Sequence, residues 1–174
     1  MDKTPIFIHS NFRAGSTYIF SEFRKNFQLN CYYEPMHELV AWASEDKDRL
    51  TLEKGDEKMA CLRHPSLNRP YFSELLDAWP CWQNRLSQEV VYGGYFSDSF
   101  EGIGSDFYLK LVHHSQARAV FFECRTAGRI PALKRLVGGK HSFLWRNPWD
   151  QWWSYQIDPY FEAVNQIILR ADPL

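Results

Sequence analysis

Arginine, glycine and hydroxyl residues gather at two places in this chain. Near the N-terminus, Arg13-Ala14-Gly15-Ser16-Thr17 follows the apolar run Pro5-Ile6-Phe7-Ile8-His9. Towards the C-terminus, Arg146 ends the run Ser142-Phe143-Leu144-Trp145, and Ser154 comes eight residues later. Both arrangements suit anions. The first N–H groups of a helix have no intrahelical partner, and its dipole is positive there, so a strand-to-helix turn is ready to take a phosphate. Gly15 lets the backbone come close, Ser16 and Thr17 add hydroxyl donors, and Arg13 adds a fixed positive fork. Arg146 falls at the carboxyl end of its strand, where ligands of open α/β sheets bind. Ser154, two helical turns further on, should face back to that edge. Two such turns suit a nucleotide phosphorylated at both ends. An ordinary βα loop with a surface arginine also fits the first segment. An Arg146–Asp150 pair with a packed Ser154 also fits the second. The ATP/GTP phosphate loop, GxxxxGK[ST], is absent, which counts against a kinase or ATPase.

The elements that must position these residues alternate in type. Residues 5–9 read as a buried strand, Ser16 to Phe27 as a helix, and Cys31-Tyr32-Tyr33 as a second strand ended by Glu34-Pro35. His37 to Ala43 reads as a helix. A charged stretch follows over 45–58, then an irregular region in which Pro70 to Leu76 forms a short helix stopped near Trp79-Pro80. Asp106 is a plausible N-cap for a helix Phe107 to His114. Ala119 to Phe122 reads as a strand, Ala127 to Val137 as a helix closed by Gly138-Gly139, and Ser142 to Trp145 as a strand. Pro148 opens a helix to about Tyr155, and an amphipathic segment spans Tyr160 to Arg170. This alternation predicts an α/β fold: a mainly parallel sheet with helices on both faces, and a mostly helical or irregular insertion at 45–104 lying over it.

A chain of 174 residues is one domain by length, 1–174. The net charge of −1 offers no long-range pull on nucleic acid or anionic lipid, so an anion site must be local and no nucleic-acid partner is expected. No apolar run reaches the ~20 residues of a membrane span, and the N-terminus lacks the features of a signal peptide. Cys31, Cys61, Cys81 and Cys124 form no CxxC pair and read as reduced, mostly buried thiols, with no metal site expected. A cytoplasmic location is the expectation. Aromatics are 17% of the chain. Most read as core, and Trp79, Trp82, Tyr92 and Tyr95 are candidates for a wall that stacks a sugar or purine.

Taken together, the motifs resemble those of the sulfotransferases that use 3′-phosphoadenosine-5′-phosphosulfate (PAPS), in particular the carbohydrate-type and bacterial branch. Arg13-Ala14-Gly15-Ser16-Thr17 looks like the family's 5′-phosphosulfate loop. Arg146 and Ser154 match its 3′-phosphate motif, with Asn147-Pro148 and Trp152-Trp153-Ser154-Tyr155 as fitting surroundings. Tyr33-Glu34-Pro35 resembles the segment after the second strand. Cys124-Arg125, Gly128-Arg129 and Leu133-Lys134 resemble the segment leading into the 3′ motif. The similarity covers about two thirds of the chain, and 45–104 adds nothing to it. Nothing after Tyr155 resembles the family's late nucleotide-covering loop, which leaves a compact member or a chain lacking the usual C-terminal part.

The resemblance implies a P-loop NTPase-like three-layer sandwich and transfer of a sulfonate from PAPS, as co-substrate, to a hydroxyl of a saccharide or other polar acceptor. It implies that Arg13, Ala14, Gly15, Ser16, Thr17, Arg146 and Ser154 bind the donor, and that Arg13 stabilises charge at the reacting group. Glu34 is the favoured base because it should emerge at the same sheet edge; a carboxylate paired with Arg13 or another cation is the alternative. His37 is its rival as base, with His9 and His64 behind it. The pair His113-His114 is expected on a solvated face. Arg125 and Arg129 could contact phosphate or serve in ion pairs. Two other readings stay open: a non-catalytic module that binds PAPS or its product adenosine 3′,5′-bisphosphate (PAP), and a P-loop nucleotide kinase. The acceptor and the oligomeric state have no readable signature.

Overall fold

The computed structural model describes residues 2–51, 67, 69–93, 100, 102–156 and 160–170. Four strands build its sheet: β1 Ile6–Ser10, β2 Leu29–Tyr33, β3 Arg118–Glu123 and β4 Lys140–Leu144. They run in the order β2-β3-β1-β4, and every pair is parallel. The predicted α/β class with a parallel sheet is therefore what the chain adopts. The helices are α1 Ser16–Phe23, α2 Glu38–Ala43, α3 Asp48–Thr51, α4 Ser73–Asp77, α5 Trp79–Trp82, α6 Gln88–Tyr92, α7 Ile103–His114, α8 Ile130–Leu136, α9 Pro148–Tyr155 and α10 Tyr160–Leu169, with a 3₁₀ turn at Ala127–Arg129.

Side chains alternate across the pleat, so each central strand supplies both faces. Phe7, Phe121 and Tyr32 lie on one face, where Tyr108 of α7 packs against Phe7 and Phe121 at ring separations of 5.5 and 5.2 Å. Ile8, Phe122 and Tyr33 lie on the other, where Phe20 and Phe23 of α1 meet Phe122 edge-on at 5.3 and 5.6 Å. Helices thus cover both faces, as the near-continuous apolar runs of β1 and β3 require. A bidentate pair from Arg24 to Glu74 (2.8 and 2.7 Å) ties the end of α1 to α4 of the insertion.

Several boundaries differ from expectation. Helix α1 stops at Phe23 rather than Phe27, because Asn26 turns the chain: its side chain accepts from Gln28 N and its carbonyl from Leu29 N. Phe27 is left exposed. Asp106 is not a cap; α7 starts earlier, at Ile103, after Gly102 at φ +80°. The predicted helix from Ala127 to Val137 divides into the 3₁₀ turn and α8, because Pro131 is tolerated only in a first turn. The short helix of the irregular region does stop at Trp79-Pro80 as expected, since α4 ends at Asp77 with Ala78 as its C-cap, but it begins only at Ser73. Trp79-Pro80 then opens a further helix, α5, with Pro80 in the first turn. Strand β4 begins at Lys140 and ends at Leu144, so Trp145 and Arg146 lie beyond it.

Candidate functional site

The strand order decides where a site can form. From β1 the chain crosses past β3 to β2, whereas from β3 it crosses past β1 to β4. Adjacent strands whose connections leave in opposite directions open a crevice at their carboxyl ends, the usual ligand position in such sheets. Here the loop after β1, residues 11–15, and the loop after β3, residues 124–126, face each other across it.

Gly15, the residue before α1, has φ +96°, so the loop enters the helix through a conformation that favours glycine. Ala14 is buried behind it. Ser16 and Thr17 are also buried. Their hydroxyls turn inward, to Cys124 Sγ at 3.4 Å and to Tyr33 OH at 3.0 Å. The donors that the first turn can offer to an anion are therefore its backbone N–H groups more than its hydroxyls. Arg13 is partly exposed, and its Nε donates to Ser154 Oγ at 2.8 Å. Its guanidinium also stacks 5.3 Å from the Phe161 ring.

Ser154 thus faces back to the sheet edge, as its spacing from Arg146 predicted. Gln151 Nε2 donates to Phe12 O at 2.6 Å, a second tie between α9 and the first loop. Asn147 caps α9 by accepting from Trp149 N at 2.9 Å. Arg146 itself stands exposed between β4 and α9.

Glu34 emerges at the same edge, with its amide donating to Phe122 O at 2.8 Å. Its carboxylate is buried and pairs with Arg125, which is 1% exposed. Arg125 also reaches Glu38 Oε2 at 2.9 Å and lies 4.9 Å over the Phe12 ring. The cation that holds Glu34 is therefore Arg125 and not Arg13. Arg129 is fully buried as well, donating to Gly93 O at 2.8 Å and stacking on Phe100. His37 caps α2, its Nδ1 accepting from Leu39 N at 3.1 Å. Among the described residues, non-glycine positive φ occurs at Arg13 (+62°), Glu34 (+38°) and Asn84 (+57°). Two of these three are the positions singled out for chemistry, and strained backbone of this kind collects at functional sites.

Other groups went unread in the sequence. Glu123, at the end of β3, is buried and accepts from Tyr108 OH. Burial foremost, and the nearby Glu34 charge, push its carboxyl up to about 8, with the Tyr108 hydrogen bond and Arg125 acting the other way. The same burial raises the Cys124 thiol and the Tyr33 and Tyr108 phenols.

On β1 and β4, His9 and His141 form an ordered chain. His141 Nε2 donates to Gly138 O (3.0 Å), so its Nδ1 accepts from His9 Nε2 (2.9 Å), and His9 Nδ1 accepts from Thr126 Oγ1 (2.8 Å). Burial first, then His141 and Lys134, lower His9 to about 3. Both ring nitrogens of this buried histidine are thus engaged within the fold.

His64, Cys61 and Tyr95 lie outside the described residues. The aromatic wall is not formed as expected: Trp82 is fully buried, with Nε1 donating to Leu75 O, and Trp79 donates to Ala43 O. The exposed indoles among the described residues are instead Trp42 on α2 and the cluster Trp145, Trp149, Trp152 and Trp153. His113 and His114 are exposed on α7, as expected. Among the described residues, no cluster of His, Cys, Asp and Glu could hold a metal ion, and no helix is long and apolar enough to cross a membrane.

No known protein family, curated protein or solved structure matches this chain.

Proposed function

We propose that this protein is a PAPS-dependent sulfotransferase, acting on a hydroxyl of a saccharide or other polar acceptor. The observation that carries the reading is the 2.8 Å hydrogen bond from Arg13 Nε to Ser154 Oγ, across 141 residues of sequence. It joins the two anion-suited turns at one sheet edge, so a nucleotide with phosphates at both ends could touch both. The finer fold assignment, a P-loop NTPase-like three-layer sandwich, belongs to the same proposal. The central position of β1, whose carboxyl end carries the glycine-hydroxyl loop, supports it. Free thiols at Cys31, Cys81 and Cys124 fit a reducing compartment such as the cytoplasm.

In this reading the acceptor oxygen attacks sulfur, and the bond from sulfur to the bridging phosphate oxygen breaks. The acceptor proton passes to Glu34, and Arg13 with the first N–H groups of α1 stabilises charge on the departing 5′-phosphate. Arginine stays protonated, so Arg13 stabilises charge and does not donate a proton. Arg146 and Ser154 hold the 3′-phosphate, with Ser154 exchanging its bond from Arg13 for one to the ligand.

A second reading, a non-catalytic module that binds PAP or PAPS, is favoured by one observation: the Glu34 carboxylate is turned inward onto Arg125. Transfer of ³⁵S from labelled PAPS to a panel of glycans separates the two. Label in a glycan supports the enzyme. Stabilisation by PAP without transfer supports the module. Neither response removes both.

A further inference from the structure

Arg125 touches side chains from two parts of the proposed site, the segment that carries the base and the donor loop. Its guanidinium meets the carboxylates of Glu34 and Glu38, the latter at 2.9 Å, and lies 4.9 Å over the ring of Phe12. Glu34 is the proposed base. Phe12 adjoins Arg13 in the donor loop, and its carbonyl accepts from Gln151 of α9 at 2.6 Å. Glu38 is fixed in turn by Tyr92 OH. At 1% exposure Arg125 is out of reach of a ligand phosphate, so the role open to it is to hold other groups in place. A guanidinium suits this: it hydrogen-bonds the Glu34 carboxylate, stays in ion-pair contact with Glu38 and presents its face to an aromatic ring.

We infer that Arg125 is a positioning residue, which orients the Glu34 carboxylate and ties it to the donor loop through Phe12. The inference rests on the proposed sulfotransferase activity. It explains how Glu34 keeps a left-handed backbone (φ +38°): the amide is held by Phe122 O and the side chain by Arg125, so the conformation is fixed at both ends. It also gives the two loops at the switch point a shared element, so a shift of Phe12 reaches Glu34 through one side chain.

The test is steady-state transfer by Arg125→Met, Arg125→Lys and Phe12→Leu, with folded enzyme counted by PAP titration so that loss of protein is not read as loss of rate. Phe12→Leu removes the ring and keeps every charge. Misplacement by about 1 Å can cost ~10²-fold in rate. Arg125→Met should therefore lower kcat by about that factor, with KM for PAPS and the PAP-induced thermal shift nearly unchanged. Arg125→Lys should recover part of kcat, and Phe12→Leu should lower it by less. If Arg125→Met does not fold, Phe12→Leu decides. Unchanged kcat in Phe12→Leu, or unchanged kcat per folded molecule in Arg125→Met, overturns the inference while leaving the sulfotransferase reading intact. A wild-type protein with no PAP shift and no transfer overturns both.

Discussion

The two sides of the sheet are built differently. Around β1 and β3, strands, loops and helices close over one another, and even charged groups are buried in pairs. Phe122 on β3 is fully buried between Phe20 and Phe23. At the β4 edge, Phe143 is 45% exposed, and α9 buries none of its residues, leaving Trp149 72% exposed. The same residue types in the same parallel sheet therefore carry very different stabilising weight. The difference suggests a division of labour: the β1–β3 side fixes geometry, and the β4–α9 side offers surface, with Arg13–Ser154 and Gln151–Phe12 joining them.

The sharpest test compares one residue type on the two sides. Phe122→Ala should cost about 3–5 kcal/mol, the usual range for a large aromatic removed from a core. Urea unfolding measures it, and a loss under about 1 kcal/mol would break the contrast.

Arg13→Ala should lower ³⁵S transfer by about 10²–10³-fold without unfolding the protein, because it removes a charge-assisted contact to the reacting group. Near wild-type turnover would remove Arg13 from its role.

The ligand test asks whether the exposed side gains a partner. At about 100 times its dissociation constant, PAP should add roughly 2.7 kcal/mol, a melting shift on the order of 5–10 °C for a domain of this size, and far more than AMP or ATP. Arg146→Ala should remove most of that shift, since a doubly charged phosphate loses its main counter-charge. Ser154→Ala should remove less, because it takes away one hydrogen bond and leaves the counter-charge of Arg146 in place. Equal shifts from AMP and PAP would mean that no 3′ site exists.

The buried acid and the buried histidine make opposite predictions with pH. Folded Glu123 keeps its proton to about 8, against an ordinary value of 4.5. The folded state therefore binds more protons in that window, and the contribution of Glu123, complete below 4.5, is lost as pH rises through 8. Folded His9 stays neutral down to about 3, against an ordinary 6.5, so its contribution is present above 6.5 and lost as pH falls. Between about pH 4.5 and 6.5 the two oppose each other. Between about pH 6.5 and 8 Glu123 acts without His9, and stability should fall by up to ~1.4 kcal/mol per pH unit. Glu123→Gln should flatten that arm in urea titrations, and a flat wild-type curve there would contradict the burial argument.

The smallest effect expected is that of Phe143→Ala, within about 1 kcal/mol, because much of the ring is already in water. A loss comparable to that of Phe122→Ala would mean that the β4 edge is covered in solution.

Read from residues alone, the chain already specified four strands, their alternation with helices and the two turns suited to anions. Local chemistry is enough for this: apolar runs bounded by Gly15, Pro35 and Gly138, and Pro148 in a first helical turn, act over a few residues whatever the rest of the fold does. The Arg146-to-Ser154 spacing likewise carried its own geometry, because a helix of known pitch turns Ser154 back to the strand end. The order β2-β3-β1-β4 was not legible, since it depends on pairings between segments up to a hundred or more residues apart. That order put Arg125 against Glu34, Thr126 against His9 and Ser16 against Cys124. Only tertiary packing could turn Arg125 from a candidate phosphate contact into a buried clamp, and could put Trp82 in the core while leaving Trp149 in water. Burial is a property of what surrounds a residue, and sequence distance does not record it.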